Sequence, residues 1–541
     1  MIRVTEVKLP LDHDEADLKQ ALYNRLKQFP SEYQVIRRGY DARRRGDIQL
    51  VYTIDCSIDN EEEFLRNHSL DRNLSKTPEV RYQFVMSRQT GEKIANQASY
   101  VRPVVIGAGP CGVMAGLLLA QMGLRPLILE RGKPVRERTV DTFAFWRQSK
   151  FNPDSNVQYG EGGAGTFSDG KLHTQISDPY HYGHKVLTEF VRAGAPEEIL
   201  YVSKPHIGTF RLVSMVEKIR QEIESFGGQY RFNTYVQKIL MNKNRQIVGV
   251  QLVDGQEIQT NHIILATGHS AREMMHALYE DGVEIQAKPF SVGVRIEHPQ
   301  TLIDKARFGS QAGHQLLGAA DYKLVHHDAD KRGVYSFCMC PGGTVIAAAS
   351  EEGGIVTNGM SQYSRAERNA NAAIVVGVQP ERDYAGHPLA GIAFQRDLER
   401  KAFQLGGANY KAPVQRVEDF LLGRATRTLG SVVPSYKPGV EPDDLAEILP
   451  SFVINGIREA LPAFNRKLSG FNFADAVMTG VETRTSSPVR IPRMDDGQSV
   501  NTSGLYPAGE GAGYAGGIMS AAIDGIKIAE KVAQNIHDNH Q

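Results

Sequence analysis

An α/β architecture, built around a dinucleotide-binding fold that the chain leaves and later re-enters, is predicted by three features of this 541-residue sequence. An apolar strand runs into a glycine turn and an apolar helix at 104–122. A second apolar strand ends in small residues at 263–268, and a glycine-rich return occupies 504–517, just before a last helical segment. The reading is α+β overall. It comprises a small ferredoxin-like α/β unit at 1–98, the first part of a Rossmann-like domain at 99–288, an inserted β-rich substrate domain at 289–479 and the closing part of the Rossmann-like domain at 480–541.

The N-terminal unit is predicted from Val4, Val7 and Leu9 on a strand and from Leu18, Leu22 and Leu26 at helical spacing. Further strands are expected near 33–38 and 48–54, with a short acidic helix near 61–65. Arg37, Arg38, Arg43, Arg44 and Arg45 cluster between those strands, where they could meet phosphate. Asp41, Asp47 and the acidic run at 61–63 offset them within the same unit, so a solvated hairpin is the expectation. A linker is expected at 87–102, and a hairpin at Asp254-Gly255.

The pattern G-x-G-x-x-G occurs three times, at Gly107/Gly109/Gly112, Gly160/Gly162/Gly165 and Gly511/Gly513/Gly516. Only context separates the three. The first follows a buried strand and opens an apolar helix. Gly107 allows the tight turn, Gly109 the approach of backbone to a pyrophosphate, and Gly112 the close packing of helix on strand. Between them, Ala108 belongs to the same turn, while Pro110 and Cys111 lie in the first helical turn, where a missing N–H costs nothing. The helix N-terminus offers free N–H groups to phosphate. A second strand ends in Glu130-Arg131, where the carboxylate is placed for the adenosine ribose.

The third hit also follows a strand and precedes a helix, but the sequence ends at Gln541, too soon for a second strand with its acidic residue. The expectation is a returning strand that delivers Gly509-Glu510 and the helix N-terminus at Gly516-Gly517-Ile518 to the far end of one long ligand. FAD fits that description, because a helix N-terminus stabilises the negative charge that reduction builds on a flavin. The middle hit has no preceding strand and reads as a glycine loop that brings Gly165, Thr166 and Ser168 to the ligand. Ala266-Thr267-Gly268 closes the second half of the fold.

Together, GAGPCG at 107–112 with Glu130, LATG at 265–268 and GLYPAGEGAGYAGG at 504–517 resemble the FAD-binding scheme of the glutathione-reductase-type two-domain flavoproteins. With GEGGAGTFSDGKL at 160–172, KPHIGT at 204–209, SFCMCPGG at 336–343, TNGMS at 357–361 and GVETRTSSPVR at 480–490, most of the chain resembles the bacterial "NAD(FAD)-utilising dehydrogenases". The resemblance implies that Gly107, Gly109 and Gly112 cradle the pyrophosphate, Glu130 takes the ribose, and Val236 lies by the adenine. It also implies that Glu510 takes a ribityl hydroxyl, where Asp is usual, and that 516–518 lie at the isoalloxazine.

Candidate chemistry is sparse. Cys338 and Cys340 could pass electrons to a flavin, but on a regular strand residues i and i+2 stand about 6.6 Å apart, too far for a disulfide, so buried strand cysteines are the expectation. Glu482 and Arg484 could form a structural pair, or Arg484 could bind an anionic substrate. His206 could donate a proton. The expected function is an FAD-dependent dehydrogenase or reductase with non-covalent flavin and a transient NADH or NADPH donor, since no second complete fingerprint exists. A flavin monooxygenase, or a flavin-bound RNA-binding or regulatory module, are the alternatives.

Composition is consistent with this reading. There are 62 basic and 62 acidic residues, which leave no net field to attract nucleic acid or membrane. The four cysteines lack C-x-x-C spacing, so neither a metal site nor a disulfide framework is expected. With no apolar leader and no apolar run near the ~20 residues of a membrane span, a cytoplasmic location and a small-molecule partner are expected.

Overall fold

The computed structural model describes residues 1–44, 46–174, 176–384 and 386–540; Arg45 of the arginine cluster lies outside them. The N-terminal unit runs β-α-β-β-α-β. Strand Ile2–Pro10 sits between Gln49–Ser57 and Leu74–Lys76, with Glu32–Asp41 at the edge, all antiparallel. This is ferredoxin-like order. Val4 and Val7 are three residues apart, which breaks strict alternation. A bulge between them, with Glu6 at φ 56°, absorbs the extra residue and keeps both side chains in the core. Helix Glu15–Leu26 is capped by a reciprocal Asp14–Asp17 box and buries Leu18, Leu22 and Leu26.

The segment expected as a linker instead contains helix Arg88–Ala95, capped by the Ser87 hydroxyl. Gly91 lets it approach the next domain, since a Cβ there would lie 1.8 Å from the Met122 carbonyl. The Rossmann-like sheet is parallel, in the order Leu505–Pro507, Ile263–Leu265, Val104–Ile106, Leu127–Leu129, Gln229–Arg231. Val105, Ile128, Ile264 and Tyr506 point into one core, while Val104, Ile106, Leu127, Leu129, Ile263, Leu265 and Leu505 point into another. Both faces are therefore covered, which is why the three inner strands are apolar at every position, while the edge strand Gln229–Arg231 is not. A three-stranded antiparallel sheet (Val236–Met241, Ile247–Leu252, Glu257–Gln259) follows, turning at Gly255 with φ 86°.

The inserted segment builds a large mixed sheet around Phe290–Pro299, Asn369–Val378 and Gly333–Ala347. Strand Val477–Glu482 pairs into that same sheet, so its chain path crosses the boundary expected at 479/480 before returning to the Rossmann-like sheet. Where the chain leaves and re-enters, Gln286–Ala287 pairs with Val489–Arg490. The core of the insert is continuous with that of the N-terminal unit. Helix Val135–Gln148 ties the insert to the Rossmann-like domain, because Trp146 Nε1 donates to the Ala347 carbonyl at 2.9 Å. Among the described residues no helix is long and apolar enough to cross a membrane, and no group of His, Cys, Asp and Glu is placed to hold a metal.

Candidate active site

The cleft forms at the carboxyl ends of the parallel strands, where open α/β sheets place their ligands. Strand Val104–Ile106 passes through Gly107, at φ 101°, into helix Pro110–Gln121, with Gly109 as its N-cap and no side-chain cap. A Cβ on Gly107 would lie 2.5 Å from the Ala266 carbonyl, and one on Gly112 would lie 1.9 Å from the Gly107 carbonyl. Sterics thus hold both positions at glycine. Ala108 is fully buried and faces away from the cleft, but its N–H donates to Glu130 Oε2 at 2.8 Å. Glu130 Oε1 accepts from the Gly132 and Gly160 N–H groups, both at 2.9 Å. Three of the roughly four acceptor sites of that carboxylate are therefore used by the backbone, leaving one for a ligand. Arg131 lines the cleft between the rings of Tyr159 and Tyr235, at 4.6 and 4.2 Å, next to Val236.

The glycine loop lies across this turn, with its 3-10 helix Gly163–Phe167 so close that a Cβ on Gly163 would meet Gly109 Cα at 2.8 Å. Gly165 and Ser168 line the cleft. The Ser168 hydroxyl is used within the loop, donating to the Gly165 carbonyl at 2.7 Å and accepting from the Gly170 N–H at 3.0 Å. Thr166 does not reach the cleft. Its Oγ1 lies 3.4 Å from Arg138 Nη1 and from the Glu161 carbonyl, behind the loop. Arg138, which sequence reasoning missed, holds the loop in place. Fully buried, it donates to the carbonyls of Asn156, Val157, Gly160, Glu161 and Gly163 at 2.6–3.3 Å.

At the far end, Ala266, Thr267 and Gly268 follow strand Ile263–Leu265 and touch the returning chain, since a Cβ on Gly511 would lie 2.4 Å from the Gly268 carbonyl. Gly509 is set back, its N–H donating to Asp524 Oδ2 at 2.7 Å, and Gly516 lies beside the Glu510 carboxylate rather than on the cleft lining. Glu510, Gly517 and Ile518 line the cleft, and Gly517 opens helix Ile518–Asp538, again without a side-chain cap. Burial pushes the Glu510 carboxyl up to about 8, against the pull of Lys288.

The inserted sheet supplies the opposite wall, with Cys338, Glu482 and Arg484 on the lining beside Lys171 and Asp169 of the glycine loop. Glu482 and Arg484 do not pair with each other. Arg484 grips Glu399, while Glu482 lies 3.7 Å from Arg295 and accepts from Thr357 Oγ1 at 3.1 Å. Burial raises the Glu482 carboxyl to about 7. Cys340 is buried just behind Cys338. His206 stands off the cleft, stacked on Tyr363 and hydrogen-bonded to the Tyr363 carbonyl at 2.9 Å, with burial lowering its pKa. Lys171, Tyr159, Tyr235 and Arg295 are site residues that sequence reasoning did not single out. For Lys171 alone there was a local signal, its place at the end of the glycine loop.

The cleft is long and open, running from Glu130 and Arg131 at one end to Glu510 and Gly517 at the other. Its walls fit a dinucleotide. Gly268 and Gly517, at φ 71° and 80°, have nothing within 4 Å of where a Cβ would stand, so open space lies beside the backbone where a ligand can approach. Thr267 Oγ1 and Lys171 Nζ are buried without a hydrogen-bond partner. Two uncapped helix N-termini, at Gly109 and Gly517, face the same space.

Three family models match the chain. Residues 289–485 match "FAD-dependent protein, C-terminal domain-like", residues 101–291 match "pyridine nucleotide-disulphide oxidoreductase", and residues 1–57 match a domain of unknown function. An uncharacterized protein of Clostridium beijerinckii is 45% identical over 538 residues, covering 98% of each chain. Among solved structures, the L-proline dehydrogenase of P. horikoshii is 12% identical with a TM-score of 0.34, over 80% of this chain and 93% of that one. The 3-ketosteroid-delta4-(5alpha)-dehydrogenase of Rhodococcus jostii RHA1 is 13% identical with a TM-score of 0.35, over 85% and 100%. The chain is an oxidoreductase-family protein, and FAD is its cofactor.

Proposed function

Since this chain belongs to the same family as the Clostridium beijerinckii protein, and its two larger segments match FAD-dependent and pyridine nucleotide-disulphide oxidoreductase models, we propose that it is an FAD-dependent dehydrogenase or reductase acting on a small molecule. The observation that carries this reading is the convergence of two uncapped helix N-termini on one cleft that the inserted sheet closes. Bound there, FAD would take up and release two electrons.

The residues divide the work by position. Gly107, Gly109 and the helix start at Pro110 would receive the pyrophosphate, and the one free acceptor site of Glu130 would take a ribose hydroxyl. Val236, with the Tyr159–Arg131–Tyr235 stack, would flank the adenine. At the other end, the N–H groups at Gly517 and Ile518 would stabilise negative charge on the flavin. Glu510, neutral at pH 7, would hold a proton toward the ribityl chain. Lys171, Glu482 and Arg484 would line the substrate space. Lys171 Nζ makes no hydrogen bond and has Asp169 at 3.4 Å as a counter-charge that Arg365 shares, which favours a substrate with an anionic or carbonyl group.

Purified protein should show a flavin spectrum and should bleach, without oxygen, on addition of NADH or NADPH. Bleaching by one of the two names the donor. A flavin that neither nucleotide bleaches would rule out the nicotinamide-linked form of this reading.

A further inference from the structure

We propose that Cys338 and Cys340 are a redox-active thiol pair that exchanges two electrons with the FAD. The inference rests on the placement given above, with the flavin end between Glu510 and Gly517. The strand that carries both cysteines is irregular where they occur. Gly333–Ala347 slips register against Asn369–Val378 between Phe337 and Cys340, and again between Cys340 and Gly343. Cys338 itself has φ 43°, a left-handed conformation uncommon for a residue with a side chain. The regular spacing of about 6.6 Å, which would hold two such thiols apart, therefore does not apply. The chain instead folds back, bringing Cys340 Sγ to 3.4 Å from the Cys338 carbonyl.

The surroundings are unlike those of the other cysteines. Cys56 and Cys111 are buried singly, with thiols pushed up by burial. Cys338 is partly exposed to the cleft, and Cys340 lies behind it. Two cations face the pair. Lys171 Nζ and Arg295 Nη1 are buried without hydrogen bonds, each with one carboxylate at ion-pair distance, Asp169 at 3.4 Å and Glu482 at 3.7 Å, while Arg295 Nη2 donates to the Cys338 carbonyl at 2.6 Å. The Cys340 thiol, Lys171 and Arg295 all favour a Cys338 thiolate, the form that reacts. Neither carboxylate fully offsets its cation, since Asp169 is shared with Arg365 and burial raises the Glu482 carboxyl to about 7. A thiolate at Cys338 would meet both cations.

In the exchange, the Cys338 thiolate and the Cys340 thiol together lose two electrons and one proton, one S–S bond forms, and the oxidised flavin takes up both electrons and that proton. Run in reverse, a reduced flavin opens the disulfide.

The test uses the FAD-bound protein. Wild-type protein, oxidised in air, unfolded and alkylated, should be labelled at Cys56 and Cys111, and the peptide holding Cys338 and Cys340 should be lighter by two hydrogens. In an anaerobic dithionite titration the wild type should take up twice as many electrons per FAD as C338S or C340S. Equal uptake by all three, with FAD retained, overturns the pair, as does full alkylation of Cys338 and Cys340 in the oxidised protein. Alkylation is read on the wild type, so it decides even where a variant fails to fold. Protein that purifies without flavin overturns the cofactor placement, and the exchange with it.

Discussion

Arg484 closes on Glu399 in a two-pronged pair, Nε to Oε1 at 3.0 Å and Nη2 to Oε2 at 2.9 Å, in a core where Arg272 holds the same carboxylate from the other side at 2.7 and 2.8 Å. Glu399 lies on helix Ala390–Leu405 of the insert, Arg272 on helix Arg272–Glu280 of the Rossmann-like domain, and Arg484 where the chain returns between them. One carboxylate thus joins the two halves of the cleft. Replacing it leaves the Arg484 guanidinium without its carboxylate and Arg272 with Glu351 alone, at 3.2 Å. E399Q should lose about 3–5 kcal/mol of stability, the cost of breaking a buried pair from one side. Urea unfolding of the FAD-bound protein measures this, and a loss under about 1 kcal/mol would mean that water screens the cluster.

Glu482 predicts a pH dependence. Burial raises its folded-state carboxyl from 4.5 to about 7. The stability it contributes as a neutral acid is fully present below the unfolded value and is lost as pH rises through about 7. At one pKa unit per ~1.4 kcal/mol, the loss is on the order of 3 kcal/mol. Wild-type melting temperature should therefore fall relative to E482Q between pH 4.5 and 7. Parallel curves for the two proteins would refute the assignment.

Arg138 makes the glycine loop depend on one side chain. R138M leaves five carbonyls without their shared donor, at a cost of roughly 3–5 kcal/mol. Because that loop covers the Gly109 turn, FAD should dissociate at a lower urea concentration than the one at which the chain unfolds. Flavin fluorescence and circular dichroism, followed in one titration, separate the two events.

Gly517 and Gly255 are a matched pair for testing the cleft. Both have left-handed φ, 80° and 86°, and neither has an atom within 4 Å of a Cβ position. An alanine costs the same backbone strain of about 1–2 kcal/mol at each. Only at Gly517 does the methyl enter the proposed flavin space. G255A should keep its FAD, and G517A should bind it roughly tenfold or more weakly, an effect of about 1.4 kcal/mol. Equal retention by both variants would place the flavin elsewhere.

The parallel sheet and the three glycine turns were legible because each is a local requirement. A strand buried on both faces must be apolar throughout, as 104–106, 127–129 and 263–265 are. A turn with positive φ at Gly107 admits few residues other than glycine. The helix in the 87–102 segment was not legible, since its eight residues carry one buried apolar side chain, Ile94, and a glycine used for packing.

By itself, then, the sequence determined the dinucleotide fold, the return of the chain to it, and the cofactor class, all of which follow from spacing along the chain. Tertiary structure alone decided the partners of charged and reactive side chains. Glu482 and Arg484 are two residues apart, yet they pair with Arg295 and Glu399, about 190 and 85 positions away. Cys338 and Cys340 on a regular strand would face the same side out of reach, and two register slips against strand Asn369–Val378 instead turn Cys340 Sγ to within 3.4 Å of the Cys338 carbonyl. Local patterns encode which residues must be buried; which charge meets which is settled only when distant segments share one low-dielectric space.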